Sequence, residues 1–288
     1  MTEQDAKPQS GAGTTASSVI PLREAIHSAE RDDWVRAAGD PALTGDLALA
    51  LLKRADLPGE VLEQLSKNRS VLKLRKVKIA LACHPHTPRH VSVPMIRQFY
   101  TFDLMKVALS PIVPADVKLS ADETLIARLK TITLGERLTL ARRASGRIAG
   151  ALLLDAEQRI MRAALENSRL TEGPVVKAVV NSAASVALVQ AVSRHAKWSY
   201  RRDVQIALLR TEHLSLARAL AFASGISSVQ LGEVLQASRL SAKIKEHLLR
   251  ESEKHFPPDA SPGKRGDGAL RGNSKRPAPV ESRPRKFH

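Results

Sequence analysis

The densest set of reactive side chains in this sequence is Cys83, His84 and His86, followed by His90. Three imidazoles and a thiol are ligand types that hold zinc or another soft metal. Their spacing matches no standard site. His86 and His90 stand four apart, which brings them together only on a helix that starts before Thr87, and the Thr87-Pro88 step sets the helix start there instead. The favoured reading is a polar turn between helices with a small buried Cys, so no metal and no other cofactor is expected. Two carboxylate pairs, Asp32-Asp33 beside Trp34 and Asp122-Glu123, read as acids complementing the positive end of a helix rather than as an acid/base pair. Gly-x-Ser-x-Gly, Gly-x-x-x-x-Gly-Lys and His-Glu-x-x-His do not occur. Gly146 and Gly150, one helical turn apart, read as a close-packing face. No catalytic residue is assigned, and a non-enzyme is expected.

The basic residues say more. Lys and Arg number 45 against 29 Asp and Glu, a formal net charge of +16. Residues 1–39 carry a net −2, residues 257–288 a net +5 and residues 40–256 a net +13, so the body of the chain is basic and not the tail alone. Within the body the cations form knots: Lys73 and Lys76 with Arg75 and Lys78, then Arg142, Arg143 and Arg147, then Arg194, Lys197, Arg201 and Arg202. Trp198 and Tyr200 lie inside the last knot, the one place where aromatic and basic residues mix. Knots that recur along a repeat could line up as one stripe for an acidic partner or for phosphates. The alternative is that they solvate helix faces. Trp198 also reads as an anchor at a helix junction, and Phe99, Tyr100 and Phe102 read as core filling. Aromatics are only 3% of the chain, which argues against a stacking platform for single strands.

These residues must be positioned by helices. Val175, Val176, Val179 and Val180 fall on one helical face, as do Leu125, Ile126 and Leu129, and Leu134, Leu138 and Ala141. Ser120 with Glu123 and Thr133 with Glu136 have capping-box spacing. Period-two alternation is missing, so the fold class expected is all-α. The leader, residues 1–19, is polar with a Gly/Ser/Thr/Ala-rich stretch, and residues 256–288 are Pro- and Gly-rich with few large apolar side chains. Both are expected to be disordered. The tail's Lys264-Arg265, Lys275-Arg276 and Arg285-Lys286 pairs read as an electrostatic tether. One cysteine permits no internal disulfide, the N-terminus lacks a secretory pattern, and the longest apolar run, Ile148 to Leu154, is too short for a bilayer. A cytoplasmic protein without a membrane partner is expected.

The helical region, residues 20–255, has an internal period. Ala-Leu pairs that close a helix stand at Ala50-Leu51, Ala80-Leu81, Ala108-Leu109, Ala164-Leu165 and Ala207-Leu208, at intervals of 30, 28, 56 and 43 residues. A short polar or Pro-bearing linker follows the first four. A pair of short helices cannot bury its own apolar face, so stacked neighbours are expected to make one continuous core. The segments Ala80 to Pro88 and Ile160 to Thr171 resemble the leucine-rich repeat variant and HEAT-like bacterial repeats, which read roughly Val-Arg-x-Ala-Leu-Ala-x-Asn-Pro-x-Thr-Pro. The Asn-Pro step is His84-Pro85 in one segment and Asn167-Ser168 in the other. The resemblance implies an α-superhelix (α-solenoid) with a binding surface and no set reaction. The iron–sulfur cysteines of the prototype are not matched by this one-Cys chain.

The function expected is a non-catalytic scaffold for a protein partner. The alternative is a nucleic-acid binder using a basic face and the tail. A third reading, from the resemblance of the fold to HEAT-like alkylpurine DNA glycosylases, rests only on the Trp and acids of Asp32 to Arg36. A nucleic-acid binder predicts one continuous positive stripe. A protein adaptor predicts an exposed groove of mixed apolar and charged character.

Overall fold

The computed structural model describes residues 21–255. They form eighteen helices and, among the described residues, no strand: α1 (Leu22–Ala25), α2 (Arg31–Gly39), α3 (Gly45–Leu52), α4 (Gly59–Lys67), α5 (Arg69–Leu72), α6 (Arg75–Cys83), α7 (Arg89–Ile96), α8 (Thr101–Leu109), α9 (Ala115–Arg128), α10 (Leu134–Arg143), α11 (Gly146–Leu152), α12 (Gln158–Leu165), α13 (Glu172–Val180), α14 (Val186–Arg194), α15 (Arg202–Leu209), α16 (Leu216–Ala223), α17 (Ser228–Gln236) and α18 (Ala242–His255). Most are only two or three turns long. Helices this short are marginal alone, and their stability comes from the faces they bury. The expected residues 1–19 leader and 256–288 tail, with Lys264, Arg265, Lys275, Arg276, Arg285 and Lys286, lie outside the described residues.

The helices pack on near neighbours in chain order, in two series of contacts. In the first, α2 packs on α4, α7 on α9, α9 on α11, α11 on α13, α13 on α15 and α15 on α17. His90 and Glu63 link α7 to α4 at 3.5 Å. In the second, α3 packs on α6, α6 on α8, α10 on α12, α12 on α14 and α16 on α18. Arg218 of α16 donates to the Ser193 carbonyl of α14. Contacts such as α8 with α9 and α11 with α12 tie one series to the other.

The core is not continuous as the repeat reading expects. It falls into two clusters, one built from Ala25 to Leu81 and one from Ala82 to Leu248, which meet within α6. Met95, half-buried on α7, packs against both. Small side chains such as Ala38, Ala48, Ala121, Ala141, Ala149 and Ala164 are buried throughout. The backbones therefore approach closely and few aromatics are needed.

The turns share one device. After a helix ends, a polar side chain accepts the N–H of the residue two positions on. Asp40 accepts from Ala42 at 2.7 Å. Asn68 accepts from Ser70 at 3.1 Å, and His84 accepts from His86 at 3.3 Å. Asn167 accepts from Arg169 at 2.8 Å. His195 accepts from Lys197 at 3.1 Å, and Ser238 accepts from Leu240 at 3.1 Å. Several of these side chains also reach back one structural unit. Asn68 Nδ2 donates to the Ala38 and Asp40 carbonyls, His84 Nε2 to Arg54, Asn167 Nδ2 to Ala141 and Ala144, and Ser238 Oγ to Leu209. The His84 and Asn167 variants of the Asn-Pro step therefore do the same work: each offers one acceptor to its own turn and one donor to the turn before. Removing Asn167 leaves buried carbonyls without a donor. Asn167→Ala is expected to cost about 1–3 kcal/mol in urea unfolding. Asn181→Ala should cost clearly less, because the Asn181 side chain is exposed and serves only its own turn at Ala183.

Several local expectations are corrected. Thr133 and Glu136 do form a capping box, but Ser120 and Glu123 do not. Helix α9 begins at Ala115 behind Pro114, so Asp122 and Glu123 lie in its interior and not in a first turn. Helix α7 begins at Arg89, one residue later than Thr87-Pro88 implies, because the Thr87 hydroxyl donates to the Leu81 carbonyl and closes the preceding helix. On α10 the buried pair is Leu140 and Ala141, while Leu134 is exposed. Phe99 fills core as expected, but Tyr100 is 70% and Phe102 40% exposed. They flank the start of α8, where the turn places them outside both clusters.

Candidate functional site

The Cys83–His90 cluster is taken apart by the turn it sits in. His84 Nε2 donates to the Arg54 carbonyl at 2.8 Å and His86 Nδ1 to the Leu57 carbonyl at 3.0 Å, while His90 faces Glu63. Burial pulls His84 below the usual imidazole range. Among the described residues no group of three His, Cys, Asp or Glu side chains is placed to hold a metal ion. Burial pushes the Cys83 thiol up to about 11. Little of it is thiolate at pH 8, so iodoacetamide is expected to alkylate Cys83 of the native chain at least about tenfold more slowly than that of the urea-unfolded chain, followed by mass spectrometry.

The carboxylate pairs are also structural. Asp33 is buried and paired with Arg36, and its carboxyl is held below the usual range by the Ser28 hydroxyl first and by Arg36 second. Trp34 is buried, donates to the Ser28 carbonyl at 3.0 Å and carries the Arg54 guanidinium 4.3 Å above its ring. It therefore offers no open aromatic wall of the kind the glycosylase resemblance requires. Burial raises the Asp122 carboxyl above its usual range, and Ser145 donates to it at 2.8 Å.

The basic knots are dispersed over separate grooves. Arg142 lies in a groove of about 570 Å³ between α10, α12 and α14, with Arg159 and Arg162 of α12 and, at its end, Glu166 and His195. Its floor is Leu138, Ala163, Leu165 and Ala191. Lys73 lies in a second groove, of about 650 Å³, with Lys67, Arg69 and Lys78 from α4, α5 and α6. Lys76 lies in a third, of about 590 Å³, with Arg75 and Lys106. There Arg75 is held by Asp103, a carboxylate only 2% exposed, through two hydrogen bonds of 2.7 Å.

The other named cations stand elsewhere. Arg143, Arg194 and Arg201 are exposed. Arg147 is on α11 near Glu123, and Arg202 on α15 donates to Gln230 at 2.6 Å. Lys197 donates to the Leu170 carbonyl at 3.3 Å, with its ammonium 4.1 Å from the Trp198 ring. Trp198 itself is 1% exposed and donates to the Leu165 carbonyl at 3.1 Å, so it anchors a junction and is not a contact surface. Tyr200 is the exposed member of that knot, at 82%.

Sequence reading missed Arg159 and Arg162, which complete the first groove. Their signal is local: they alternate with Ile160, Met161, Ala164 and Leu165, all buried. The two guanidiniums must therefore share the outer face of α12. Sequence reading also missed that charge is divided between the two contact series. The first-series helices α2, α4, α7, α9, α11, α13, α15 and α17 carry nine Lys and Arg against ten Asp and Glu. The second-series helices α3, α6, α8, α10, α12, α14 and α16 carry eleven against three, and α18, which packs on α16 and α17 alike, carries four against three. Within the first seven, Asp103 is committed to Arg75 and Glu136 to the cap of α10, and Arg137 is committed to Asp155.

Among the described residues no helix is long and apolar enough to cross a membrane. No protein-family model, curated protein or solved structure matches the chain.

Proposed function

We propose that the chain is a non-catalytic helical-repeat scaffold, a HEAT-like α-solenoid whose second helix series faces an acidic protein partner in the cytoplasm. Three features support the solenoid. Helix contacts run between near neighbours, a turn device recurs along the chain, and side-chain hydrogen bonds reach back one unit, as from Asn68 to Asp40. The observation that carries the function is the charge division between the series. On α3 to α16 of that series eleven cations stand against three acids, and with Arg75 and Arg137 paired to Asp103 and Asp155 nine cations still face two acids, a net positive charge. Such a face favours encounter with an acidic surface.

A second reading, nucleic-acid binding, is favoured by the Lys67, Arg69, Lys73 and Lys78 groove, where four cations meet one acid that is itself beside His90. Against it, the cations are divided among grooves, and the exposed rings are few.

The test is capture by the immobilised full chain from a nuclease-treated cell extract, with a Lys76→Gln/Lys106→Gln/Arg143→Gln/Arg194→Gln variant in parallel. A discrete protein retained by the wild type and lost by the variant is expected. Retention abolished by nuclease, with nucleic acid in the untreated eluate, overturns the protein reading.

A further inference from the structure

The groove between α10, α12 and α14 differs from the other basic grooves in its cations, which are all arginines; an apolar lining it shares with the lysine-rich groove, where Leu72, Val91 and Met95 lie. Arg142 on one wall and Arg159 and Arg162 on the next stand over Leu138, Ala163 and Ala191. Arg142 and Arg159 have no partner among the described residues, and Arg162 has only a 3.5 Å contact with Gln158 on its own helix. Glu166, the one acid at the rim, is turned to His195 at 3.2 Å. The groove therefore combines unpaired guanidiniums with a shallow apolar floor made of short side chains.

From this we infer that the groove docks a short acidic segment of a partner protein, one that carries Leu-sized apolar side chains beside its carboxylates. The inference rests on the scaffold reading and names the site and the ligand chemistry. Charge complementarity selects the sign. A guanidinium presents its N–H groups as a planar fork that matches a carboxylate in bidentate fashion, which a lysine cluster does not. The floor selects a peptide over a phosphate backbone. Ala163 and Ala191 leave room for a partner's apolar side chains between the arginines, the arrangement in which a helix lays one face into a groove. Nucleic acid would leave that floor uncovered, and no Phe, Tyr or Trp lines the groove for a base to stack on. The separate Lys67, Arg69, Lys73 and Lys78 groove supplies an internal control of equal sign and similar size.

The test uses the full chain and a fluorescein-labelled synthetic peptide of Glu and Leu with Leu at helical spacing, read by anisotropy. Its companions are the same peptide with Leu replaced by Ser and a short labelled duplex. Arg159→Glu/Arg162→Glu is compared with Lys67→Glu/Lys73→Glu, which makes the same charge change in the other groove. All four positions are exposed, and circular dichroism checks that both variants fold. The wild type and the lysine variant should bind the Glu/Leu peptide alike, and the arginine variant should bind it at least about tenfold more weakly. The Ser peptide should bind the wild type more weakly than the Glu/Leu peptide does.

Three outcomes overturn the inference. These are no saturable binding of the Glu/Leu peptide, equal losses in the two variants, and a duplex that depends on Arg159 and Arg162 more than the peptide does. Each removes the groove as a peptide site and leaves the scaffold reading to the extract experiment.

Discussion

Trp198→Ala is expected to lower the stability of the full chain by about 3–5 kcal/mol, the range for removing a fully buried large aromatic. Trp198 sits in the turn between α14 and α15 and reaches the Leu165 carbonyl at the end of α12. Beside it, Lys197 reaches the Leu170 carbonyl, and the His195 ring lies 6.3 Å away, tilted at 39°. One indole thus closes a junction that α12, α14 and α15 share. Contacts in this chain run between near neighbours, so no distant element compensates. Urea unfolding followed by circular dichroism and by a probe on α18 should separate into two transitions in the variant, because without the indole α15 to α18 are held to the rest by the packing of α13 on α15 and the Arg218 and Arg239 hydrogen bonds. A loss below about 1 kcal/mol with coincident transitions would contradict this account of the junction.

Gly146→Ala is the second large effect. A methyl group at Gly146 would collide with the Arg169 carbonyl, a backbone atom that cannot rotate aside, and one at Gly150 would stand 2.6 Å from Pro174 Cβ. The two glycines therefore form the close-packing face that their spacing implies, against the turn and helix that follow α12. The expected cost of Gly146→Ala is about 1–3 kcal/mol, as for overpacking elsewhere. Gly232→Ala is the control. It lies inside α17 with nothing within 4 Å of the added methyl. The same substitution there should stabilise by about 0.5–1 kcal/mol through helix propensity. Opposite signs for one chemical change would locate the effect in packing. Equal signs would refute it.

The all-helical class was legible in the sequence because apolar period and cap chemistry act locally. Thr133 and Glu136 cap α10 with contacts three residues apart, so no tertiary context is needed to see them. Ser120 and Glu123 have the same spacing and fail, since Pro114 starts α9 earlier and its helix runs through them. Four of the Ala-Leu pairs fall on second-series helices, α3, α6, α8 and α12, while Ala207-Leu208 falls on α15 of the first series, and the turn device has no such signal. Asn68, His84, Asn167 and Ser238 are of three residue types that share a donor, an acceptor and a position. Only their partners one unit upstream show that they are equivalent.

The site was legible least. Lys73, Arg142 and Arg194 were found as local knots, but a knot along the chain does not stay together across short helices joined by tight turns. Arg142 leaves Arg147 behind and meets Arg159 and Arg162 instead. The knot around Trp198 is misleading for a related reason. An indole between Lys197 and Arg201 looks like a nucleic-acid contact, yet the ring faces inward and Lys197 covers it. The division of charge between the two helix series depends on which helices stack, and no window of sequence contains that.

The most direct test of the central claim, that the second-series face serves an acidic protein and not a phosphate backbone, is a salt titration of duplex binding. A short labelled duplex is titrated with the full chain and with the Lys76→Gln/Lys106→Gln/Arg143→Gln/Arg194→Gln variant at several salt concentrations. The account predicts weak binding to both, with the same dependence of log affinity on log salt. Four phosphate contacts made by these residues would instead steepen the wild-type slope by roughly 3–4 units relative to the variant. A wild-type slope steeper by that amount, together with tighter binding at low salt, would contradict the account and make the second series a nucleic-acid face.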